Sequence, residues 1–263
     1  MKLDFFKMHA QGNDYIYFDF LDKIQPSLDF SKLAQKICDR HLGIGGDGIV
    51  LILNDPENDV FMRVFNSDGS EANNCGSALS CISAYYYKKF NIKKIIINTL
   101  SGIKIGEIIN IKDNKNIFVR INLGTPEFLK KGIDKINHFE GYQISVGNHH
   151  FVTFVDELSP DIVSKFGPQI EKNKLFPYGI NVEFVKRISS NLIEVKVWER
   201  GSGETLACGS GACAAVFAGI QNSLLNNNVT VKVPGGNLQV EYLGKNIYLT
   251  GNVSYIFGGN IEI

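Results

Sequence analysis

The sequence predicts an α+β protein built from two pseudo-symmetric domains that arose by internal duplication. Three observations support this: a repeat with an offset of about 133 residues, short β-branched runs broken by glycine and asparagine, and one apolar helix in each half. We therefore expect each half to be a curved, mostly antiparallel sheet around a central buried helix. The same pattern predicts an active site in the cleft between the halves.

The clearest repeat surrounds two cysteines. "RVFNSDGSEANNCGSALSC" at 63–81 matches "KVWERGSGETLACGSGACA" at 196–214, so that Cys75 falls on Cys208. Four further pairs of matching segments follow in the same order, beginning at Gly12 and Gly147, Leu42 and Tyr178, Ile95 and Val229, and Asn116 and Asn246. Five matches in register favour duplication over chance.

The repeat sets the predicted domain boundaries. The first half comprises residues 1–124 together with a C-terminal strand at about 256–263, and it carries Cys75. The second half comprises residues 125–255 and carries Cys208.

Local patterns assign the elements. The runs "IKKIIINTLSGIKIGEIINI" and "VTVKVPGGNLQVEYL" predict hairpins, and "SKLAQKICDR" predicts a helix. After the two repeat cysteines, "GACAAVFAGI" is small or apolar on every face and "GSALSCISAYYY" is nearly so. Both segments are therefore predicted to be helices buried inside their halves.

Composition limits the classes of partner. The 263 residues are 44% hydrophobic, and 27 Lys and Arg balance 27 Asp and Glu, which argues against nucleic-acid binding and favours a small-molecule substrate. The N-terminus lacks the features of a signal peptide, and no apolar run is long enough for a membrane span. Five cysteines without paired spacing indicate a reducing cytoplasm. Exposed sheet edges favour a homodimer.

The sequence predicts neither a metal nor a cofactor. It has no C-x-x-C motif, and neither cysteine-bearing helix has a histidine at ligand spacing. The glycine patterns "GIGGDG" at 43–48 and "GSGACA" at 209–214 lack the strand and acidic context of a dinucleotide site. No motif indicates pyridoxal phosphate.

Both Cys-Gly-Ser triplets place a thiol at the start of a helix, where free N–H groups and the helix dipole attract anions. We expect this field to lower the pKa of each thiol toward neutrality. Two such thiols at one α-carbon would invert it, because one removes the proton and the other returns a proton to the opposite face. The backbone donors predicted to bind the substrate carboxylate are Gly76, Ser77, Gly209 and Ser210. Cys38, Cys81 and Cys213 are predicted to be small buried residues.

Five motifs together carry a resemblance to a known family: "KMHAQGNDY" at 7–15, "NSDGSEANNCG" at 66–76, "GNHH" at 147–150, "GINVEFV" at 179–185 and "WERGSGETLACGSG" at 198–211. Along essentially its whole length the chain resembles the diaminopimelate epimerase family, and more loosely the cofactor-independent amino-acid racemases of the same duplicated fold. The resemblance implies inversion of LL-2,6-diaminopimelate to the meso form without pyridoxal phosphate, in lysine and peptidoglycan precursor biosynthesis.

The resemblance also implies roles for individual residues. Cys75 and Cys208 become the acid–base pair, and His150 and Glu199 lie beside the thiols and assist them. The side chains implied to bind substrate are Asn13, Asn66, Asn148, Asn181, Glu199 and Arg200. Arg200 suits this role because guanidinium pairs bidentately with carboxylate.

The chain departs from the family pattern at a few positions. Where the family usually reads Cys-Gly-Asn-Gly followed by an Arg before the next Cys, this chain has Ser77, Ala78 and Ser80. Gly48 stands where many members carry a Gln that contacts substrate. Lanthionine or histidine is therefore an alternative substrate.

Other interpretations stay open at this point. The two thiols would also suit a redox sensor that forms a reversible disulfide, and an isomerase of the same fold acting on a non-amino-acid is a third alternative. The asparagines are also typical turn residues, and Arg200 would also suit a plain surface charge.

Overall fold

The computed structural model describes residues 1–113 and 116–263. Contacts divide the chain into two compact units, Met1–Ile121 with Gly251–Ile263, and Asn122–Thr250. The sequence predicted junctions after residues 124 and 255. In the structure the units divide a few residues earlier, after Ile121 and after Thr250. No helix of the described part combines the length and apolar character that a membrane span requires.

The described residues of the first unit form two helices and all or part of nine strands. In chain order they are β1 (Lys2–Ala10), β2 (Asn13–Asp19), α1 (Phe30–Ile37), β3 (Gly48–Leu53), β4 (Val60–Asn66), β5 (Glu71–Ala72), α2 (Gly76–Phe90), β6 (Lys94–Asn98), β7 (Lys104–Ile111) and β8 (Ile117–Gly124), followed at the C-terminus by part of β18 (Asn246–Glu262). β8 and β18 each run from one unit into the other.

The second unit repeats this order. Its elements are β9 (Glu127–Phe128), β10 (Asp134–Ile136), β11 (Phe139–Ser145), β12 (His149–Phe154), α3 (Ile162–Glu171), β13 (Asn181–Ser189), β14 (Leu192–Glu199), β15 (Gly203–Thr205), α4 (Gly209–Gln221), β16 (Asn228–Val233), β17 (Gly236–Leu243) and the first part of β18.

The strand pairings repeat in the same way. In the first unit β1/β2, β3/β4 and β6/β7 are antiparallel, whereas β2/β3 and β4/β6 are parallel. In the second unit β11/β12, β13/β14 and β16/β17 are antiparallel, whereas β12/β13 and β14/β16 are parallel. The predicted duplication and mostly antiparallel sheets are thus confirmed.

Strand register corrects one detail of the repeat. An ungapped match from Leu42 and Tyr178 pairs Gly45 with Asn181. In the structure Tyr15 is opposite Gly48 and His150 is opposite Asn181. Gly48 is therefore the counterpart of Asn181, because the loop before β3 is longer than the loop before β13.

The helices that follow the two cysteines are buried, as predicted. Every residue of α4 from Gly209 to Gly219 is buried, and α2 is buried from Gly76 to Ala84. Small side chains at these positions allow the surrounding strands to approach on all sides. By contrast, α1 buries one face through Phe30, Leu33, Ala34 and Ile37, the spacing of an amphipathic helix.

Candidate active site

Cys75 and Cys208 hold the same position in the two units. Each is the N-cap of a buried helix, with extended φ and ψ of −148° and 114° at Cys75 and −124° and 112° at Cys208. The residues that follow, Gly76 and Ser77 or Gly209 and Ser210, form the first turn and are buried. Each thiol therefore lies where the N–H groups of a helix end converge.

The surroundings of the two thiols differ. The Cys208 side chain is 7% exposed and accepts a hydrogen bond from the Gly211 N–H at 3.4 Å, and its Sγ lies 3.5 Å from the Ser210 Oγ. Cys75 is half-buried, and its side chain makes no cap hydrogen bond. The repeat has therefore produced two thiols with different environments.

One expectation about these thiols was wrong. Burial, followed by the charges of Glu199 and Glu183, raises the pKa of Cys208 well above its usual range, although Ser210 and the Gly211 N–H act in the opposite direction. The helix dipole alone would lower this pKa, but it is outweighed by desolvation of the thiolate. Without substrate, Cys208 is therefore a thiol at neutral pH.

The other three cysteines are buried, as predicted. Burial raises the pKa of Cys38 to about 12 and that of Cys81 to about 12, and it raises the pKa of Cys213 also. All five cysteines are free thiols.

A histidine and a glutamate lie next to Cys208. The Nδ1 atom of His150 is 2.7 Å from Oε1 of Glu183, and neither side chain is exposed. A ring nitrogen of His150, a carboxylate oxygen of Glu183 and the Sγ of Cys208 all lie within 4.8 Å of one another. This cluster combines a thiol, an imidazole and a carboxylate, which are the groups that enzymes use as general acids and bases.

Sequence reasoning placed His150 beside a thiol but missed Glu183. Glu183 is the one acidic residue of the motif "GINVEFV", where it lies between two apolar residues, and it is fully buried. Charged residues are almost never fully buried unless they are paired, so an acid at this point of a strand was the available signal.

Glu199 ends β14 near the same thiol. Its Oε1 accepts a hydrogen bond from the Thr205 hydroxyl at 2.5 Å, across the antiparallel pair of β14 and β15. The charge of Glu199 is also among the causes that raise the pKa of Cys208.

Asn181 connects two loops of the second unit. Its Nδ2 donates to the carbonyl of His149 at 2.9 Å, and its Oδ1 accepts from the N–H of Arg200 at 2.9 Å. The exposed Arg200 guanidinium donates to the carbonyl of Tyr178 at 3.1 Å. Asn181 therefore orients the backbone that carries Arg200, whereas sequence reasoning assigned it to substrate directly.

The other predicted asparagines lie at strand ends beside glycine turns. Asn13 begins β2 after Gly12 (φ 86°), and Asn148 directly precedes β12 after Gly147 (φ 81°). Asn66 ends β4, and its Nδ2 donates to the Ser70 Oγ at 3.1 Å. None of the four predicted asparagines has a positive φ, so the left-handed turn role is excluded for them.

A cluster of four charged groups supports the Asn13 turn. Asp14 pairs with Lys7 at 2.7 Å and with Arg40 at 2.7 Å, and Arg40 also pairs with Asp47 at 2.8 Å. The Asp14 N–H donates to Oδ2 of Asp47 at 2.9 Å. Asn13 directly precedes Asp14, and Gly48 directly follows Asp47. The cluster therefore fixes the backbone next to Asn13 and next to Gly48.

Gly48 is enclosed by its neighbours. A Cβ at this position would overlap the carbonyl oxygen of Phe65 and the ring of Tyr15. The Gln that many family members carry here therefore has no room in this chain, since Tyr15 occupies the space.

The chain matches known proteins along its length. A family model described as diaminopimelate epimerase matches residues 5–129 and 142–256. A protein named diaminopimelate epimerase from Halothermothrix orenii is 40% identical over 285 residues, covering 100% of this chain and 99% of the relative. Another of that name, from Methanococcus maripaludis, is 39% identical over 281 residues, covering 99% and 100%.

Solved structures of low sequence identity share the fold. A hydroxyproline epimerase from Agrobacterium vitis has a TM-score of 0.76 at 11% identity, over 99% of this chain and 92% of that one. A PhzF-family phenazine biosynthesis protein from Bacillus anthracis has a TM-score of 0.68 at 14% identity, over 100% of both chains. At these identities the likeness concerns the fold alone.

Proposed function

The chain belongs to the diaminopimelate epimerase family, and on that basis we propose that it inverts one α-carbon of LL-2,6-diaminopimelate to give the meso form. The observation that carries the proposal is the equivalent position of Cys75 and Cys208, each the N-cap of a buried helix. An inversion needs one group to take a proton and another to return one, and the duplication supplies a thiol for each task.

The proposed reaction proceeds without a cofactor. A thiolate removes the α-proton, and the electron pair remains on the α-carbon and is delocalised into the neighbouring carboxylate. N–H groups at the starts of α2 and α4 stabilise that carboxylate through hydrogen bonds and the helix dipoles. The opposite thiol then donates its proton to the other face, so that the configuration inverts and no other bond changes.

The raised pKa of Cys208 supports one starting arrangement. A buried thiol that holds its proton is suited to act first as the acid. Cys75, which is more exposed, then starts as the base. The reverse reaction exchanges these roles.

The distal end of the substrate carries a second amine and carboxylate. Arg200 provides a guanidinium for that carboxylate, and Asn13, Asn66 and Asn148 provide amides for both groups. Asn181 contributes by holding the Arg200 backbone in place.

This activity would supply precursors of lysine and peptidoglycan, and we place the enzyme in the cytoplasm as a homodimer. Its five free thiols fit a reducing compartment. Exposed apolar residues in the second half of β18, Tyr255, Ile256 and Phe257, support an association between copies. Size-exclusion chromatography with light scattering tests the dimer.

Proton NMR in deuterated water tests the activity on fully reduced protein. With LL-diaminopimelate we expect loss of the α-proton signal and appearance of the meso isomer. Parallel samples contain lanthionine and histidine. Exchange confined to either of these would reassign the substrate. No exchange with any of the three, together with reversible disulfide formation between Cys75 and Cys208, would overturn the proposal in favour of a redox sensor.

A further inference from the structure

We propose that Glu183 is a positioning residue for Cys208, acting through His150, whose imidazole ring it holds beside the sulfur. The inference rests on the proposed function, because it concerns how one of the two thiols changes charge during the inversion. It adds a residue that neither the sequence motifs nor the family resemblance assigned.

Contacts of the Glu183 carboxylate support this role. Its carboxylate pairs with His150 at 2.7 Å, and both side chains have no exposure. Among the described residues, Oε2 of Glu183 and Nε2 of His150 are buried without a hydrogen-bond partner. A buried carboxylate is unfavourable without a hydrogen-bond partner, and the His150 ring is that partner, so the two side chains fix each other's position.

The backbone holds this arrangement in place. Glu183 lies on β13 and His150 on β12, and the parallel register sets Glu183 two residues beyond Asn181, the partner of His150. Both side chains therefore point to the same face of the sheet. On that face the carboxylate lies against Gly211, in the first turn of α4. This helix begins directly after Cys208.

The equivalent positions of the first unit lack this chemistry. By strand register, Tyr15 corresponds to His150 and Val50 to Glu183. A phenol and an isopropyl group replace the imidazole and the carboxylate, although the strands and the helix start are retained. The pair is thus specific to Cys208 and is unnecessary for building the fold.

The charged and titratable groups around Cys208 come from three strands. Glu183 comes from β13, His150 from β12, and Glu199 from the end of β14. Tyr142 of β11 and Tyr242 of β17 contact the far end of α4, at Asn222 and Phe217. Two carboxylates face this thiol, and the imidazole held by Glu183 brings a ring nitrogen close to the sulfur.

The charge changes balance in both directions of the reaction. When Cys208 is the acid, its S–H bond breaks, the proton passes to the α-carbon, and the electron pair stays on sulfur next to the His150 ring. When Cys208 is the base, the thiolate takes the α-proton, the S–H bond forms, and His150 and Glu183 keep their own protons unchanged. No electron transfer or further reactant is needed.

Thiol reactivity provides the test. Reduced protein is treated with iodoacetamide from about pH 6 to pH 10, and mass spectrometry follows Cys208 and Cys75 separately. We expect Glu183→Gln to slow alkylation of Cys208 near pH 7.5 by about tenfold, because the His150 ring is no longer held beside the sulfur, and to leave Cys75 unchanged. Epimerase kcat should fall by about 10-fold to 100-fold with little change in KM.

Two further variants show whether Glu183 acts through His150. In a His150→Asn background, Glu183→Gln should have no additional effect on Cys208, because the two residues work as one unit. Glu183→Asp retains the carboxylate and should give intermediate reactivity of Cys208. If the Gln variant does not fold, the Asp variant replaces it in the alkylation test. Asp134→Asn is the matched control, since it removes another buried carboxylate of the same unit, which is paired with Lys130.

The opposite results would overturn the inference. Faster alkylation of Cys208 in Glu183→Gln would mean that the carboxylate only repels the thiolate, and full additivity with His150→Asn would mean that it acts independently. Either result leaves the proposed function intact if wild-type protein epimerises diaminopimelate. If wild-type protein shows no epimerisation, the proposed function fails, while the alkylation profiles still report on the contact between Glu183, His150 and Cys208.

Discussion

The carboxylate of Glu183 occupies the space that a side chain at Gly211 would need. A Cβ at Gly211 would overlap Oε1 of Glu183, while the N–H of Gly211 donates to the Cys208 sulfur. One glycine thus allows the helix start, the thiol and the buried carboxylate to lie in contact. Its small size matters here, rather than its backbone freedom.

Gly211→Ala should therefore be costly. We expect a loss of about 1–3 kcal/mol in the free energy of unfolding, because the methyl group must displace a buried carboxylate, and a parallel loss of epimerase activity. Thermal and urea unfolding measure the first effect. Gly259→Ala is the control, since a Cβ there meets Phe5 at an ordinary 3.4 Å. Equal stability of the two variants would contradict the packing described for Glu183.

Removal of either proposed acid–base thiol should abolish inversion. We expect Cys75→Ser and Cys208→Ser each to lower kcat by about 10²-fold to 10⁴-fold, because a hydroxyl is a far weaker base than a thiolate at neutral pH. Cys213→Ala controls for loss of a buried thiol in the same helix. If one serine variant kept near wild-type activity, that cysteine would have no part in proton transfer.

Asn181→Asp tests how Arg200 is held. The replacement keeps the acceptor for the Arg200 N–H but loses the donor to the His149 carbonyl, which leaves two oxygen atoms facing each other. We expect KM for diaminopimelate to rise about tenfold with a smaller change in kcat, since substrate positioning is weakened. Asn137→Asp, at an exposed position, is the control. An unchanged KM would show that Arg200 is positioned by other contacts.

The charged cluster near Asn13 should give the fold a pH dependence. Burial, together with the like charge of Asp14, raises the pKa of Asp47 to about 6. The folded state therefore binds a proton at Asp47 more tightly than the unfolded state, so this contribution to stability is present at low pH and is lost as the pH rises from about 4 to about 7.

Unfolding measured across that pH range checks this contribution. Relative to Asp47→Asn, wild-type protein should lose about 1–2 kcal/mol of unfolding free energy between about pH 5 and pH 7. The variant keeps an acceptor for the Asp14 N–H but does not titrate. Parallel stability curves for the two proteins would contradict the raised pKa of Asp47.

The sequence was sufficient for features that depend on local pattern. Duplication, buried helices and thiols at helix starts were predictable because small apolar residues after Cys75 and Cys208 leave few other places for these segments. The packing of α2 and α4, and the repeated order of parallel and antiparallel strands, agree with that prediction.

Features that depend on register and burial were not predictable in the same way. Glu183 reaches His150 because two parallel strands place residues 33 positions apart side by side. The pKa of Cys208 was expected to fall, but the outcome depends on desolvation and on two carboxylates brought together by β13 and β14. A helix start can be recognised from a short motif, whereas the dielectric surroundings of its thiol depend on the folded chain.

Isotope content at low conversion tests most directly whether two groups transfer the proton. Reduced wild-type protein is given protiated LL-diaminopimelate in deuterated water, and product and remaining substrate are separated within the first few per cent of reaction. We predict meso product that carries deuterium at the inverted carbon, beside remaining LL substrate that carries none. Product that retains the original protium, or deuterium in unreacted LL substrate, would mean that one group serves both faces and would contradict the account.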